Sequence, residues 1–116
     1  MKKLLFATIA LITAAPAYAT GGLLCSTAGA KPVVVQLVIG HTAVSSVVQA
    51  RLTDDGREVP VQVAQAWLDR NEVRVDLVDP NAERHEVRLV ARARGDNYDG
   101  SIWRGGKRRW VRCSES

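Results

Sequence analysis

Apolar and polar residues take turns along this chain with a period of two. Val73-Arg74-Val75-Asp76-Leu77 is the clearest case, and Val87, Leu89, Ala91 and Ala93 alternate with Arg88, Arg92 and Arg94 in the next segment. Such alternation places one set of side chains on a core face and the other in water only if the backbone is extended. Nothing sustains the 3.6-residue repeat of an amphipathic helix over three turns. Turn signals recur every eight to twelve residues: Asp54-Asp55-Gly56, Asp69-Arg70-Asn71, Asp79-Pro80-Asn81 and Gly105-Gly106. The pattern predicts an all-β fold, a small antiparallel β-sandwich or barrel.

The N-terminus reads as an address. Met1-Lys2-Lys3 is cationic, Leu4 to Ala15 is apolar, and Ala17-Tyr18-Ala19 forms a small-residue box after Pro16. This is the pattern of a secretory signal peptide cut after Ala19. The apolar run is too short to cross a bilayer comfortably, and no stop-transfer segment follows. Lipidation of Cys25 is the rival reading. It requires a small residue directly before the Cys and no spacer after the apolar run, whereas Leu24 precedes Cys25 and Thr20-Gly21 intervenes. Removal of nineteen residues from 116 leaves 97, enough for a single β domain over 20–116. With Lys2 and Lys3 gone, fourteen basic residues face twelve acidic ones, a mild charge of +2. The expected location is the periplasm or the exterior of a bacterial-type envelope.

Cys25 and Cys113 are the two cysteines of the chain. In an oxidising compartment a disulfide between them is the expected state. No Cys-x-x-Cys is present, and neither His41 nor His85 stands at ligand spacing from either Cys, so no metal site is predicted.

Strand boundaries follow from composition. Val33 to Ile39 is continuous and β-branched, which predicts a central strand covered on both faces. Val47 to Leu52 follows. Val59, Val61 and Val63 alternate in a strand that Pro60 confines to an edge or a bulge. Ala64 to Leu68 is compatible with a helical turn or with a continued strand. Between the segments at Val73 and Val87, pairing Arg74 with Glu86 and Asp76 with Arg84 brings opposite charges together on the solvent side.

The last hairpin carries the most information. Tyr98 to Arg104 and Lys107 to Cys113 flank a two-residue Gly-Gly loop, which sets the pairing. Asp99 then faces Arg112, Ser101 faces Trp110, and Trp103 faces Arg108. Tyr98, Gly100, Ile102, Val111 and Cys113 fall on the opposite, core side. The side bearing Trp103, Arg108, Trp110 and Arg112 is the candidate contact surface. Aromatic rings stack on sugars, and guanidinium forks grip carboxylate or phosphate. Two arrangements stay open: this face is covered by other strands together with Trp67, or it is exposed. An exported chain meets envelope glycans, anionic headgroups and proteins before it meets nucleic acid.

Catalytic chemistry has no assembled constellation. His41 and His85 lack an adjacent nucleophile, Ser45-Ser46 lacks a nucleophile-elbow setting, and Asp54-Asp55 reads as turn chemistry. Phosphate-loop and dinucleotide motifs are absent. No enzyme, cofactor, metal, nucleic-acid partner or transmembrane span is expected.

Gly95-Asp96-Asn97-Tyr98 and Trp103-Arg104-Gly105 carry one family resemblance. The stretch from Arg94 to Cys113 resembles the membrane-bound and periplasmic inhibitors of c-type lysozyme. Those are small exported β-barrels with a Cys near each end and a Ser-Gly-x-x-Tyr motif, followed by a Trp and a Lys-Gly. The chain departs from that pattern at Arg94, which replaces the Ser that enters the enzyme's cleft, and its Trp comes earlier. The resemblance implies a protein-inhibitor role in place of small-ligand binding.

Overall fold

The structure is a computed structural model that describes residues 20–40 and 47–116. The signal segment Met1 to Ala19, together with His41, Ser45 and Ser46, lies outside the described residues. Nine strands follow one another: β1 (Thr20–Ser26), β2 (Val33–Gly40), β3 (Val47–Asp54), β4 (Arg57–Val59), β5 (Gln62–Leu68), β6 (Glu72–Val78), β7 (His85–Arg94), β8 (Asn97–Arg104) and β9 (Lys107–Glu115). They form one antiparallel sheet in the order β4-β3-β2-β1-β9-β8-β7-β6-β5. The sheet curls on itself into a half-barrel, which decides between the sandwich and barrel alternatives. Among the described residues no helix is long and apolar enough to cross a membrane.

Each strand pair is a meander step except one. β1 lies beside β9, so the two ends of the domain are neighbours in the middle of the sheet. Cys25 and Cys113 are direct ladder partners there, and a disulfide joins them across 88 positions of sequence. Both side chains point inward and are fully buried. Pro60 and Val61 separate β4 from β5. β4 pairs with β3 at one edge and β5 with β6 at the other, so the chain changes edges where Pro60 lacks an N–H for the ladder.

The core is the concave face. Leu37, Leu52, Leu77, Leu89 and Ile102 are its largest fully buried side chains, with Val35, Val73, Val87 and Val111 between them. All sit at alternate positions, as the period of two requires. β2 departs from expectation: Val33, Val35 and Leu37 are buried, but Gln36 is exposed and Val34 and Val38 are half-buried. One sheet that curls has a single dry side, so its central strand is covered on one face. Ala64 to Leu68 is strand, with a bulge between Val63 and Gln65. Ala93, expected on the core side, is exposed near the end of β7.

The β6–β7 register also differs from the charge-based expectation. Arg74 faces Val90, Asp76 faces Arg88 and Glu72 faces Arg92. The loop between the strands is longer than Asp79-Pro80-Asn81. The buried Asp79 accepts hydrogen bonds from the backbone N–H groups of Glu83 (2.7 Å) and Arg84 (2.6 Å), and Ala82 takes φ 59°. That closed loop delays pairing until His85, and a bulge then shifts the ladder between Leu77 and Val78. Opposite charges still meet in two of the three pairs.

Candidate functional site

The β8–β9 hairpin has the predicted register: Asp99 with Arg112, Ser101 with Trp110, and Trp103 with Arg108. Gly105 (φ 59°) and Gly106 (φ 78°) both occupy the left-handed region, which makes the tight turn and needs glycine twice. Tyr98, Ile102, Val111 and Cys113 face the core, and the Tyr98 hydroxyl donates to the Asp69 carbonyl (2.8 Å). The other side of the ribbon faces water. Trp103 is 39% and Trp110 59% exposed, so the exposed arrangement holds.

Trp67 joins them on the convex surface at 51% exposure. The ladders order the outward side chains in rows running across the strands. One row is Trp67, Arg74, Val90, Ser101, Trp110. The next is Gln65, Asp76, Arg88, Trp103, Arg108. Trp67 and Trp110 therefore stand at the two ends of a row whose low middle is Val90 and Ser101. Trp103 and Trp110 are diagonal neighbours on adjacent strands, about 7–8 Å apart at the backbone. Two guanidinium groups lie over indole rings, Arg74 over Trp67 at 5.8 Å and Arg88 over Trp103 at 5.7 Å. Such contacts fix long side chains in place as well as attracting them.

The two arginines of the predicted site differ in freedom. Arg112 is forked onto Asp99, Nε to Oδ1 at 2.7 Å and Nη2 to Oδ2 at 3.1 Å. The Arg112 hydrogen bonds hold the Asp99 carboxyl below its usual range, and Asp99 raises Arg112 in return. Arg108 donates from Nε to the Ser101 hydroxyl (2.9 Å) and leaves its remaining donors at the exposed edge. Arg112 thus serves the fold first, and Arg108 is the freer cation.

Two shallow hollows indent this convex face. One, about 440 Å³, lies between Trp67, Arg74, Asp76, Arg88 and Val90. The other, about 380 Å³, lies between Asp76, Glu86, Arg88 and Trp103. They share Asp76 and Arg88. Sequence reading identified the hairpin, brought Trp67 to it only in the covered arrangement, and left Arg74 and Arg88 out of the site. The alternation in β6 and β7 already put both arginines outward. Trp67 could not be assigned a face while Ala64 to Leu68 had no settled conformation.

Four other acidic groups have structural duties. Asp54 and Glu86 both hold Arg104 at one end of the barrel. Asp54 therefore does more than shape the Asp55-Gly56 turn. Asp69 and Asp79 cap turns through backbone N–H groups, which lower both carboxyls from their usual range. His85 stands exposed at the start of β7. Among the described residues no cluster of three or more His, Cys, Asp or Glu is placed to hold a metal ion. Comparison with protein-family models, curated proteins and solved structures gives no match.

Proposed function

We propose that this chain is an exported, non-catalytic binding module of the cell envelope whose convex Trp/Arg face takes an anionic or glycan ligand. The observation that carries the reading is the exposure of Trp103 and Trp110 beside Arg108 and Arg112 on a rigid hairpin. Three exposed indoles on one face cost solubility and do nothing for the core, so a surface role accounts for them. The disulfide suits an oxidising compartment, and the signal pattern supplies the route to it. Binding in place of catalysis is supported by Asp54, Asp69, Asp79 and Asp99, whose carboxylates are spent on turns and ion pairs.

Intrinsic Trp fluorescence tests the proposal. Titration with chitotetraose, tetragalacturonate and phosphatidylglycerol micelles is expected to give a saturable shift for at least one. Loss of that shift in Trp110→Ala and Arg108→Ala would place the contact on the hairpin. No response to any of the three would end the reading.

A second reading, a protein inhibitor of c-type lysozyme, draws support from the β7–β8 tip. Gly95 and Asp96 form an exposed two-residue turn, anchored by the Tyr98–Asp69 hydrogen bond. Arg94 is exposed beside it, while Arg104 is already held by Asp54 and Glu86, so an insertion into an acidic cleft would fall to Arg94. A lysis assay with excess protein decides: undiminished lysozyme activity excludes the inhibitor role.

A further inference from the structure

We infer that the ligand is an oligosaccharide and that it lies across the strands, in the joined hollows between Trp67 and Trp103, with Asp76 and Arg88 as its polar contacts. The inference rests on the binding-module reading above and moves its centre from the hairpin to the β5–β8 surface.

The first argument is an ion pair that does not form. Asp76 and Arg88 are ladder partners on the outward face, ideally placed for a cross-strand salt bridge. Arg88 instead lies over the Trp103 ring at 5.7 Å, and among the described residues no ion pair includes Asp76 or Arg88. A carboxylate acceptor and a guanidinium donor are thus left side by side at the junction of the two hollows. Vicinal hydroxyls of a sugar need just that combination, because each hydroxyl both donates and accepts. A phosphate or a lone carboxylate would meet repulsion from Asp76.

The second argument is the aromatic frame. Trp67 is oriented by a hydrogen bond from its Nε1 to Asp69 Oδ2 (3.0 Å) and by the guanidinium of Arg74, so the ring is held before any ligand arrives. Trp103 has the guanidinium of Arg88 over its ring. Indoles that are already ordered lose little entropy on binding the apolar face of a sugar ring. Trp67 on β5 and Trp103 on β8 are three ladder steps apart and one outward row apart. At ordinary strand spacings that is roughly 16 Å along the surface. One sugar ring cannot reach both platforms, so the fitting ligand is a chain. The two hollows together are of the size that small-molecule sites occupy.

Isothermal titration of the wild-type protein and of Trp67→Ala, Asp76→Ala and Trp110→Ala with chitotetraose and with tetragalacturonate tests this. Thermal melts establish that each variant is folded. All three changed residues lie on the convex face, outside the core. Saturable binding of chitotetraose is expected, weakened about tenfold or more by Trp67→Ala and by Asp76→Ala and less than about threefold by Trp110→Ala, with tetragalacturonate, whose carboxylates meet Asp76, the weaker of the two sugars. Sugar binding that survives Trp67→Ala and Asp76→Ala but is lost in Trp110→Ala overturns this site and leaves the hairpin reading standing. Binding of phosphatidylglycerol micelles alone overturns the oligosaccharide and keeps an envelope ligand. No binding of any probe removes both.

Discussion

The Arg104 guanidinium on β8 meets the Asp54 carboxylate on β3 at 2.6 Å, although four ladder steps separate the two strands in the sheet. A flat sheet would hold them about 19 Å apart. The contact is possible because the sheet curls, and it fixes the curl at one end. Glu86 completes it, accepting from Arg104 Nη1 at 3.0 Å. The bulge beside Val78 turns the Glu86 side chain out of its strand's alternation and toward that end of the barrel.

Arg104→Met should therefore destabilise the fold by about 2–3 kcal/mol, because it leaves the partly buried Asp54 carboxylate without its cation and Glu86 with Arg84 alone. Arg104→Lys should recover only part of the loss, since an ammonium lacks the planar spread of donors by which Nε meets Asp54 while Nη1 meets Glu86. Urea denaturation followed by circular dichroism gives both numbers. Equal stability of Arg104→Met and wild type would mean that the barrel end closes without this ion group.

The disulfide acts on the unfolded chain more than on the folded one. Cys25 and Cys113 already face each other in the β1–β9 ladder, and their bond forbids most of the open conformations of an 88-residue segment. The loop-entropy relation puts its stabilisation at about 4–5 kcal/mol, as an upper figure. Cys25→Ala with Cys113→Ala should lose about 3–5 kcal/mol, a large share of the total for a domain this small. Reduction of the wild-type protein under denaturing conditions, followed by refolding with excess reductant keeping both thiols free, should reproduce the deficit.

How far the sequence speaks depends on the length scale of each feature. Local chemistry was legible. The Gly105-Gly106 turn set the last ladder residue by residue, and the alternation in β6 identified Val73, Val75 and Leu77 as core. The β6–β7 register was not, because charge pairing alone competes with a loop whose hydrogen bonds to Asp79 are invisible in one dimension. The Arg104–Asp54 contact joins residues 50 positions apart and needed the curl to be known first. The same holds for the candidate site. The hairpin half, Trp103 and Trp110, came from local register. The other half, Trp67 and Arg74, depended on how a strand whose conformation was open joins a distant edge.

Gly100 is a steric requirement of that curl. It lies on the concave side of β8, opposite Ala91 and Val111. A Cβ built there would strike the Val90 carbonyl oxygen and come within 2.5 Å of the Ala91 Cα, both backbone atoms that cannot step aside. Gly100→Ala should cost roughly 3 kcal/mol, at the upper end of overpacking effects. Gly21→Ala is the control, because nothing lies within 4 Å of the added methyl. It should be neutral, or stabilise by up to about 1 kcal/mol through the unfolded chain. Thermal melts of the two variants side by side check the contrast.

Acid should unfold the protein through carboxylates that the fold holds ionised. Asp99 is lowered by its hydrogen bonds to Arg112, Asp69 by the N–H groups of Asn71 and Glu72, and Asp79 chiefly by that of Arg84. A carboxyl whose folded value lies below its unfolded one contributes fully above the unfolded value, about 3.9 for Asp. It loses that contribution as the pH falls through the folded value. Stability should thus be flat in this respect from neutrality down to about pH 5 and decline steeply below pH 4. Asp99→Asn removes one of the titrating groups. The gap between its melting temperature and that of wild type should be widest near pH 7 and should narrow steadily toward pH 2. A gap that stays constant across that range would show that Asp99 holds Arg112 by shape and neutral hydrogen bonding, with its charge contributing nothing to the fold.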